Sequence, residues 1–359
     1  MNEAPRAPGL PSRGREIAQA GASGEPPCYA ALDLGTNNCR LLIATPSAGG
    51  FRVVEAYSRI VRLGEGLSQS GRLSEAAMDR ALAALRVSGE KVRRRRVVKF
   101  RAIATQACRM ADNGQAFVNR VANETGVKLQ IISPQEEAKL SVAGCLNLLD
   151  RRFDAALVVD VGGGSTELSW VDLAAPPQNG APPLKAWLSV PLGVVTLAER
   201  FPEGEGATET WFRTMVDYVK GEIAAFTRAD PLRPLFEDGR AHMVGTSGAI
   251  TSLAGVHLKL PRYDRNRVDG IWMTRAHCDA ATAALLALDA RGRADQPCIG
   301  PDRADLVLAG AAILSAVQEQ WPCERVRVAD RGLREGILLS LMAERKSGRR
   351  RRRRKGGAK

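Results

Sequence analysis

The chain has 359 residues, of which 45% are hydrophobic, and carries a formal net charge of +13. That length suits two domains with substantial cores, and nine of the positive charges fall in residues 346–359, where no acid occurs, leaving +4 for the rest. The basicity is therefore a property of a tail and says little about the fold. The first residues contain no apolar signal segment, and the longest apolar run, around Leu306–Val317, is too short to span a bilayer, so no membrane contact is expected.

Residues 1–27 are rich in Pro, Gly, Ala and Ser without periodicity and are expected to be disordered. Strands follow at 29–34, 38–45 and 51–60 as a meander. Apolar residues then recur at helical spacing over Ser74–Lys91, with Ser74 as N-cap. A strand is expected over Val97–Ala104, a helix over Gly114–Gly126 closed by its glycine, and a short strand over Leu129–Ile132. Ser133-Pro134-Gln135-Glu136 has the form of a helix start, with Ser at N-cap, Pro at N1 and Glu at N3; this helix should reach about Leu149. The second half repeats the theme. Strands are expected at 155–161, 166–172 and 184–191, and helices at about 194–200 and 207–228. A strand ending at His242–Gly245 leads into a helix opening at Ser247. Further helices fit Thr274–Leu288, Arg303–Glu319 and Gly332–Ala343, with a strand at Arg325–Val328. Strands precede helices in both halves, which gives an α/β chain of two related lobes.

Two segments carry the chemistry. ALDLGTNNCRLLI near the start is answered by ALVVDVGGGSTELSWV about 130 residues later. Each reads as strand, Asp, glycine turn, small polar residues, strand. Glycine turns between apolar strands offer a cradle of N–H groups to an anion. Gly35, Thr36 and Asn37 would donate in the first, and Gly162, Gly163, Gly164 and Ser165 in the second. Asp33 and Asp160 would repel a bare phosphate, so a bridging cation held by these two acids is implied. Two such loops suggest duplicated lobes facing each other over a polyphosphate.

Other residues fit around them. Gly245-Thr246-Ser247-Gly248 forms a third turn, between a strand and a helix N-terminus, where N–H groups favour anions. Glu136 and Glu137 sit in a first helical turn, where acids also simply suit the helix dipole. One of them within reach of water could act as general base. Glu167 can turn toward Asp160 by strand alternation, as an auxiliary acid or as a plain solvated one. Arg40 interrupts an apolar strand and Arg109 follows the strand-turn AIATQACR; guanidinium forks suit phosphate oxygens. No GxxxxGK[ST], HExxH or complete GxSxG motif occurs. The chain has three histidines, which argues against a His-rich metallohydrolase. Its seven cysteines form no CxxC pair and read as free thiols of a reducing, cytoplasmic compartment.

Taken together and in order, ALDLGTNNCRLLI, RAIATQACRMADN, IISPQEEAKLSVAG, LVVDVGGGSTEL, VGTSGAITSLA, RADLVLAGAAIL and DRGLREGIL resemble the exopolyphosphatase/guanosine pentaphosphatase (Ppx/GppA) family, from about Tyr29 to Ala343. The resemblance implies two ribonuclease H-like lobes of the actin-like ATPase kind with an interlobe cleft. Lobe I would span 28–150, completed by a C-terminal helix at about 332–345; lobe II would span 151–331, and 346–359 would be a disordered polybasic tail. It further implies Mg²⁺-dependent release of terminal orthophosphate from inorganic polyphosphate, or of the 5′ γ-phosphate of pppGpp. The second Glu of the family's EEA motif, its proposed base, falls on Glu137. The family's DxGGGSTE acids fall on Asp160 and Glu167, and its two arginines on Arg40 and Arg109. Two departures stand out. Asn37 and Asn38 replace the commoner Ser, and the additional C-terminal helical domain of long members is missing, which puts processive action on long chains in doubt. A homodimer is left open. The rival readings are an actin-like kinase or ATPase, a non-catalytic polyphosphate or alarmone sensor, and a nucleic-acid-binding role for Arg93–Arg96 and Arg349–Arg354, which otherwise read as solvated charge runs.

Overall fold

The computed structural model describes residues 26–177, 181–204 and 206–356. The expected disordered segment 1–27 thus lies almost wholly outside the described residues. The chain divides into two compact units, Met1–Ile132 with Leu333–Lys359, and Ser133–Gly332.

The first unit is built on a five-stranded sheet of β1 (Tyr29–Leu34), β2 (Asn38–Ser47), β3 (Gly50–Ile60), β4 (Lys99–Ala104) and β5 (Leu129–Ile131), in the order β3-β2-β1-β4-β5. The first three strands are an antiparallel meander, and β4 and β5 add in parallel. A parallel neighbour needs a crossover, and the helix Glu75–Arg94 supplies it. Ser74 caps that helix by accepting the Ala77 N–H at 3.3 Å, an interaction worth about 1 kcal/mol. Gly126 ends the helix Gly114–Thr125 at φ 72°, a left-handed conformation that glycine adopts without steric cost. Leu82 and Leu85 of the first helix and Phe117 and Val121 of the second cover the alternate β1 residues Ala30, Leu32 and Leu34. The final helix, Leu333–Gly356, packs on β1 and β2.

The second unit repeats this plan with one strand more. β6 (Ala155–Val161), β7 (Thr166–Asp172), β8 (Leu184–Val190), β9 (Ala241–Thr246), β10 (Trp272–Thr274) and β11 (Arg325–Ala329) lie in the order β10-β11-β9-β6-β7-β8. β8-β7-β6-β9-β11 matches the first sheet strand for strand, with β10 added antiparallel at an edge. β6 is buried along almost its whole length. The helices Glu209–Ile223 and Val307–Gln320 supply much of the core over it.

Two expectations need correction. The division falls after Ile132 and not at 150. The helix Pro134–Cys145 packs on β7 and β8, and its Val142 and Cys145 share a core with Ala156, Val158, Val244 and Ala329, so apolar burial ties it to the second unit. The basic segment from 346 is also not irregular: the last helix runs unbroken to Gly356, and 357–359 lie outside the described residues. Arginine is a good helix former, and Gly348 alone does not stop a helix already propagating. The short helix Gln106–Met110 and the edge strand β10 were not foreseen.

One contact fixes the Pro134–Cys145 helix. A Cβ on Gly144 would lie 1.9 Å from the Gly332 carbonyl oxygen, so only glycine fits. Gly144→Ala should therefore destabilise the fold by ~1–3 kcal/mol through overpacking. A drop of several degrees in Tm by thermal unfolding checks this; an unchanged Tm would contradict the contact.

Candidate active site

In the first unit the β1–β2 hairpin gathers most of the expected residues. Gly35 N–H donates to the Asn38 carbonyl at 2.9 Å, which closes the turn over Thr36 and Asn37. Asp33 lies directly opposite Arg40 in the ladder. The Thr36 carbonyl accepts from Gly64, and the Asn37 carbonyl from Val61 and Arg62, at 2.9–3.0 Å, so the chain after β3 fixes these peptides. Side chains at the turn are equally confined. Thr36 and Asn37 are buried, and Thr36 Oγ1, Asn37 Oδ1 and Asn38 Oδ1 have no hydrogen-bond partner among the described residues. Buried oxygens without partners cost free energy unless water, an ion or a ligand meets them. Cys39 beside them is inert as a nucleophile. Burial, with the Asp33 carboxylate adding to it, pushes its thiol up to about 12.

Arg109 belongs to the same unit, on the helix Gln106–Met110 that follows β4. Its guanidinium donates to the Ile132 carbonyl at 2.8 Å and to Gln106 Oε1 at 2.5 Å, which holds the head beside the end of β5. The helix starts at Thr105, whose N–H donates to the Leu34 carbonyl at 3.2 Å. Thr105 Oγ1 stands 4.0 Å from where a Cβ on Gly35 would be.

The β6–β7 hairpin of the second unit is the same device. Gly162 N–H donates to the Ser165 carbonyl at 2.9 Å, and Asp160 faces Glu167 across the ladder as Asp33 faces Arg40. None of Gly35, Gly162, Gly163 and Gly164 has positive φ, and a Cβ on Gly35 would make only ordinary contact, 3.6 Å from the Asn38 carbonyl oxygen. A Cβ on Gly162 would meet the Ser165 carbonyl oxygen at 2.9 Å. The N–H groups of Val194 and Val195 bind the Gly162 and Gly163 carbonyls at 3.0 and 2.8 Å. Gly193 is equally required there, since its Cβ would fall 2.4 Å from the Gly163 carbonyl carbon.

Three further elements meet this hairpin. Thr246, at the end of β9, pairs with Asp160 in the parallel register. Ser247 then caps the helix Gly248–His257 at φ 91°, ψ 176°, and its hydroxyl donates to the Val161 carbonyl. That backbone region suits glycine and costs a serine ~1–3 kcal/mol, a strain that clusters at functional sites. The third element is the Pro134–Cys145 helix. Its N-cap Ser133 accepts the Glu136 N–H at 3.2 Å, and its first turn carries both Glu136 and Glu137. Glu137 is buried, whereas Glu136 is only half-buried. One turn on, the buried Ser141 donates its hydroxyl to Asp160 Oδ2. Residues four apart share a helix face, so the face that touches Asp160 is the face of Glu137. Ser189 steadies the other acid by donating to Glu167 Oε1 at 2.9 Å.

The second unit thus brings together Glu137, Asp160, Gly162, Gly163, Gly164, Ser165, Glu167 and the Gly245–Gly248 turn. The first groups Asp33, Gly35, Thr36, Asn37 and Arg40 on one hairpin, with Arg109 on the next helix. Sequence reasoning missed Ser141, Thr105, Ser189 and the Asp330–Gly332 turn. Glu137, Ser141 and Gly144 stand at i, i+4 and i+7, and that spacing was the available signal. The turn is anchored by Arg331 on Asp269, and the Arg331 carbonyl accepts from Thr246 Oγ1 at 2.7 Å. Tyr263 donates to Asp330 at 2.8 Å; burial, and then Asp330, raise its pKa, which keeps the phenol protonated.

The donor set fits magnesium. Among the described residues no group of three or more His, Cys, Asp or Glu could cage a metal. What exists is hard oxygen: the orphaned Thr36, Asn37 and Asn38 oxygens near Asp33, and the Asp160–Glu167 pair, whose like charges face each other across adjacent strands. Magnesium is usually held by one or two carboxylates, its remaining positions filled by water and phosphate oxygens.

Comparison with known proteins gives a family. The Ppx/GppA phosphatase family profile matches residues 42–345. Exopolyphosphatase 2 of Mycobacterium tuberculosis is 30% identical over 325 residues, covering 87% of this chain and 98% of the relative. A crystal structure of an exopolyphosphatase-like protein is similar with a TM-score of 0.78 at 28% identity, over 88% of this chain and 97% of that one. The Aquifex aeolicus Ppx/GppA member follows with a TM-score of 0.73 at 26% identity, over 89% and 98%. Two mixed α/β sheets agree with the two-lobe actin-like ATPase fold of these neighbours, and no helix among the described residues is long and apolar enough to cross a membrane. By sequence and by fold, the chain belongs to the Ppx/GppA phosphatase family.

Proposed function

We propose that this protein is an exopolyphosphatase: a hydrolase that removes terminal orthophosphate from inorganic polyphosphate, with Glu137 as general base. The observation that carries the reading is the contact of Ser141 with Asp160, which sets the buried Glu137 on the face turned to a glycine-rich, acid-flanked loop. The name of the Mycobacterium tuberculosis relative supports the substrate class.

In this reading Glu137 accepts a proton from water. The water oxygen forms a bond to the terminal phosphorus as the bridging P–O bond breaks. Orthophosphate and a chain one phosphate shorter leave, the new chain end carrying the electron pair of the broken bond. Peptide N–H groups of Gly163, Gly164 and Ser165, and of the Ser247–Gly248 turn, face charge that builds on the phosphoryl oxygens, whereas the Gly162 N–H, expected to join them, is taken by the Ser165 carbonyl. In the first unit Thr36 and Asn37, with Arg40 and Arg109, would bind phosphate groups as well, the Gly35 N–H being taken by the Asn38 carbonyl. Asp33 on the first hairpin and Asp160 on the second are the acids that would hold magnesium, which would supply charge neutralisation. Glu167 supports Asp160 from the adjacent strand. The γ-phosphate of pppGpp ends in the same phosphoanhydride, so phosphate release from polyphosphate and from pppGpp should be assayed side by side. Release from pppGpp alone would overturn the choice of substrate.

Glu137→Gln should lower turnover by ~10²-fold or more while polyphosphate still binds, the usual scale of a general base. If Glu136→Gln is the worse variant, the base is misassigned. Excess EDTA should abolish activity and magnesium should restore it; full activity in EDTA would remove the cation from the scheme. Ser141→Ala should weaken magnesium binding measured directly by calorimetry and lower kcat, with Ser141→Thr closer to wild type. Equal loss in both variants would mean that Ser141 only fills space.

A further inference from the structure

We propose that one end of the first unit is a second polyanion-binding surface, formed jointly by Arg93–Arg96 and the basic C-terminal helix, and that it holds inorganic polyphosphate. The two basic runs are some 250 residues apart in sequence, and a single ion pair brings them to one place. Lys99 Nζ meets Glu344 Oε2 at 2.9 Å. Lys99 is the first residue of β4, three residues after Arg96, and pairs with Tyr29 at the start of β1. The last helix continues past Glu344 to Gly356, ~18 Å of further helix at 1.5 Å per residue, and Arg349–Arg354 and Lys355 lie on that stretch. Phe100, Ala102 and Ala104 face the core under the Glu75–Arg94 helix, so the alternating Lys99 and Arg101 face the other side of the sheet. Arg93–Arg96 and the terminal helix therefore approach the same edge from opposite faces, with Lys99 between them.

The charge there is unbalanced. Arg93, Arg94, Arg95 and Arg96 are all exposed. Glu55 is the acid they share, binding Lys91 at 2.7 Å, Arg94 at 2.8 Å and Arg95 at 2.6 Å. These ion pairs, Lys91 and Arg95 first, hold its carboxyl at about 2, so it is ionised at neutral pH and still leaves the cluster positive. Arg96 occupies a left-handed position, φ 48°, where glycine would be unstrained.

The surface suits a phosphate chain better than a nucleic acid. Single-stranded nucleic acids are held by aromatic platforms as well as charge. Here Tyr57 lies under Lys91, 5.7 Å from its ring centroid, and Phe100 packs into the core. Among the described residues the large exposed hydrophobics are Val53, Val87, Val98 and Met110, none aromatic. The choice of polyphosphate rests on the substrate reading above. The surface itself lies at the start of β1, a strand length of ~20 Å from the turn after its end.

The test uses full-length Glu137→Gln protein, so that binding is read without hydrolysis. Anisotropy of labelled long-chain polyphosphate is measured across ionic strength, with single-stranded RNA as competitor. Replacing Arg93–Arg96 by Gln, or deleting 346–359, should each weaken binding about tenfold at low salt and flatten its salt dependence. In the otherwise wild-type enzyme, both changes should leave turnover of tripolyphosphate unaltered. Glu55→Gln should tighten binding although it removes three ion pairs. Arg96→Gly should raise Tm yet weaken binding, a split that a purely structural arginine would not produce. Unchanged affinity in both charge variants overturns the proposal, and so does RNA binding that polyphosphate cannot displace. If polyphosphate binds as described but the wild type does not hydrolyse it, the surface stands and the substrate reading falls.

Discussion

The helix that carries Glu137 lies where it does because position 144 has no side chain. Its backbone can then rest against the Gly332 carbonyl, at a distance no Cβ would allow. That contact sets the depth of the helix, and Ser141, three residues earlier, reaches Asp160 as a result. The Asp330–Gly332 turn behind it is held in place by Arg331 on Asp269 and by Tyr263 on Asp330. Asp160, the Gly162–Ser165 loop, Thr246 and Ser247 are joined by ladder pairing and by one hydroxyl bond. The position of one buried carboxylate is thus fixed by glycine packing and polar contacts spread over some 200 residues of chain, and hydrophobic burial alone would not specify it.

The two hairpins share an eight-residue frame, Asp33 to Arg40 and Asp160 to Glu167, closed by the same glycine-to-carbonyl bond. They differ at the last position. Arg40 sets a basic residue across from Asp33, whereas Glu167 sets a second acid across from Asp160. A duplicated backbone has been given opposite electrostatics. The first hairpin pairs an acid with a base and carries amide and hydroxyl oxygens at its turn; the second pairs two acids beside a glycine turn. Identical loop geometry therefore does not imply identical ligands.

Much of this was legible in the sequence. Strand boundaries at 29–34, 155–161 and 166–172, and the caps at Ser74, Ser133 and Gly126, follow from short-range rules: alternation, side-chain capping and left-handed glycine. What escaped was set by long-range contact. The Pro134–Cys145 helix reads locally as a continuation of the chain before it, yet Val142 and Cys145 bury against β6 and β9. The spacing of Ser141 from Glu137 puts the two on one helix face, but its partner lies 19 residues away in another element, so spacing alone does not name it. The strain at Ser247 is likewise invisible without the Val161 carbonyl that holds it. The glycines of the two loops were read as turns that open a cradle of N–H groups; none has positive φ, and at Gly162 it is the missing side chain, with the Ser165 carbonyl so near, that the packing uses.

The second unit is one uninterrupted stretch, Ser133–Gly332, set within a first unit whose chain resumes at Leu333. Its two ends lie about one helix apart, because Ser133 caps the helix and Gly332 abuts Gly144. Eleven residues at 1.5 Å each make that ~16 Å, a gap that some five extended residues could cross. In architectural terms the second unit is a cassette in the first. A five- or six-residue bridge would leave the first unit's sheet and its closing helix covalently continuous, so the two modules are separable by genetic surgery at a pair of adjacent sites.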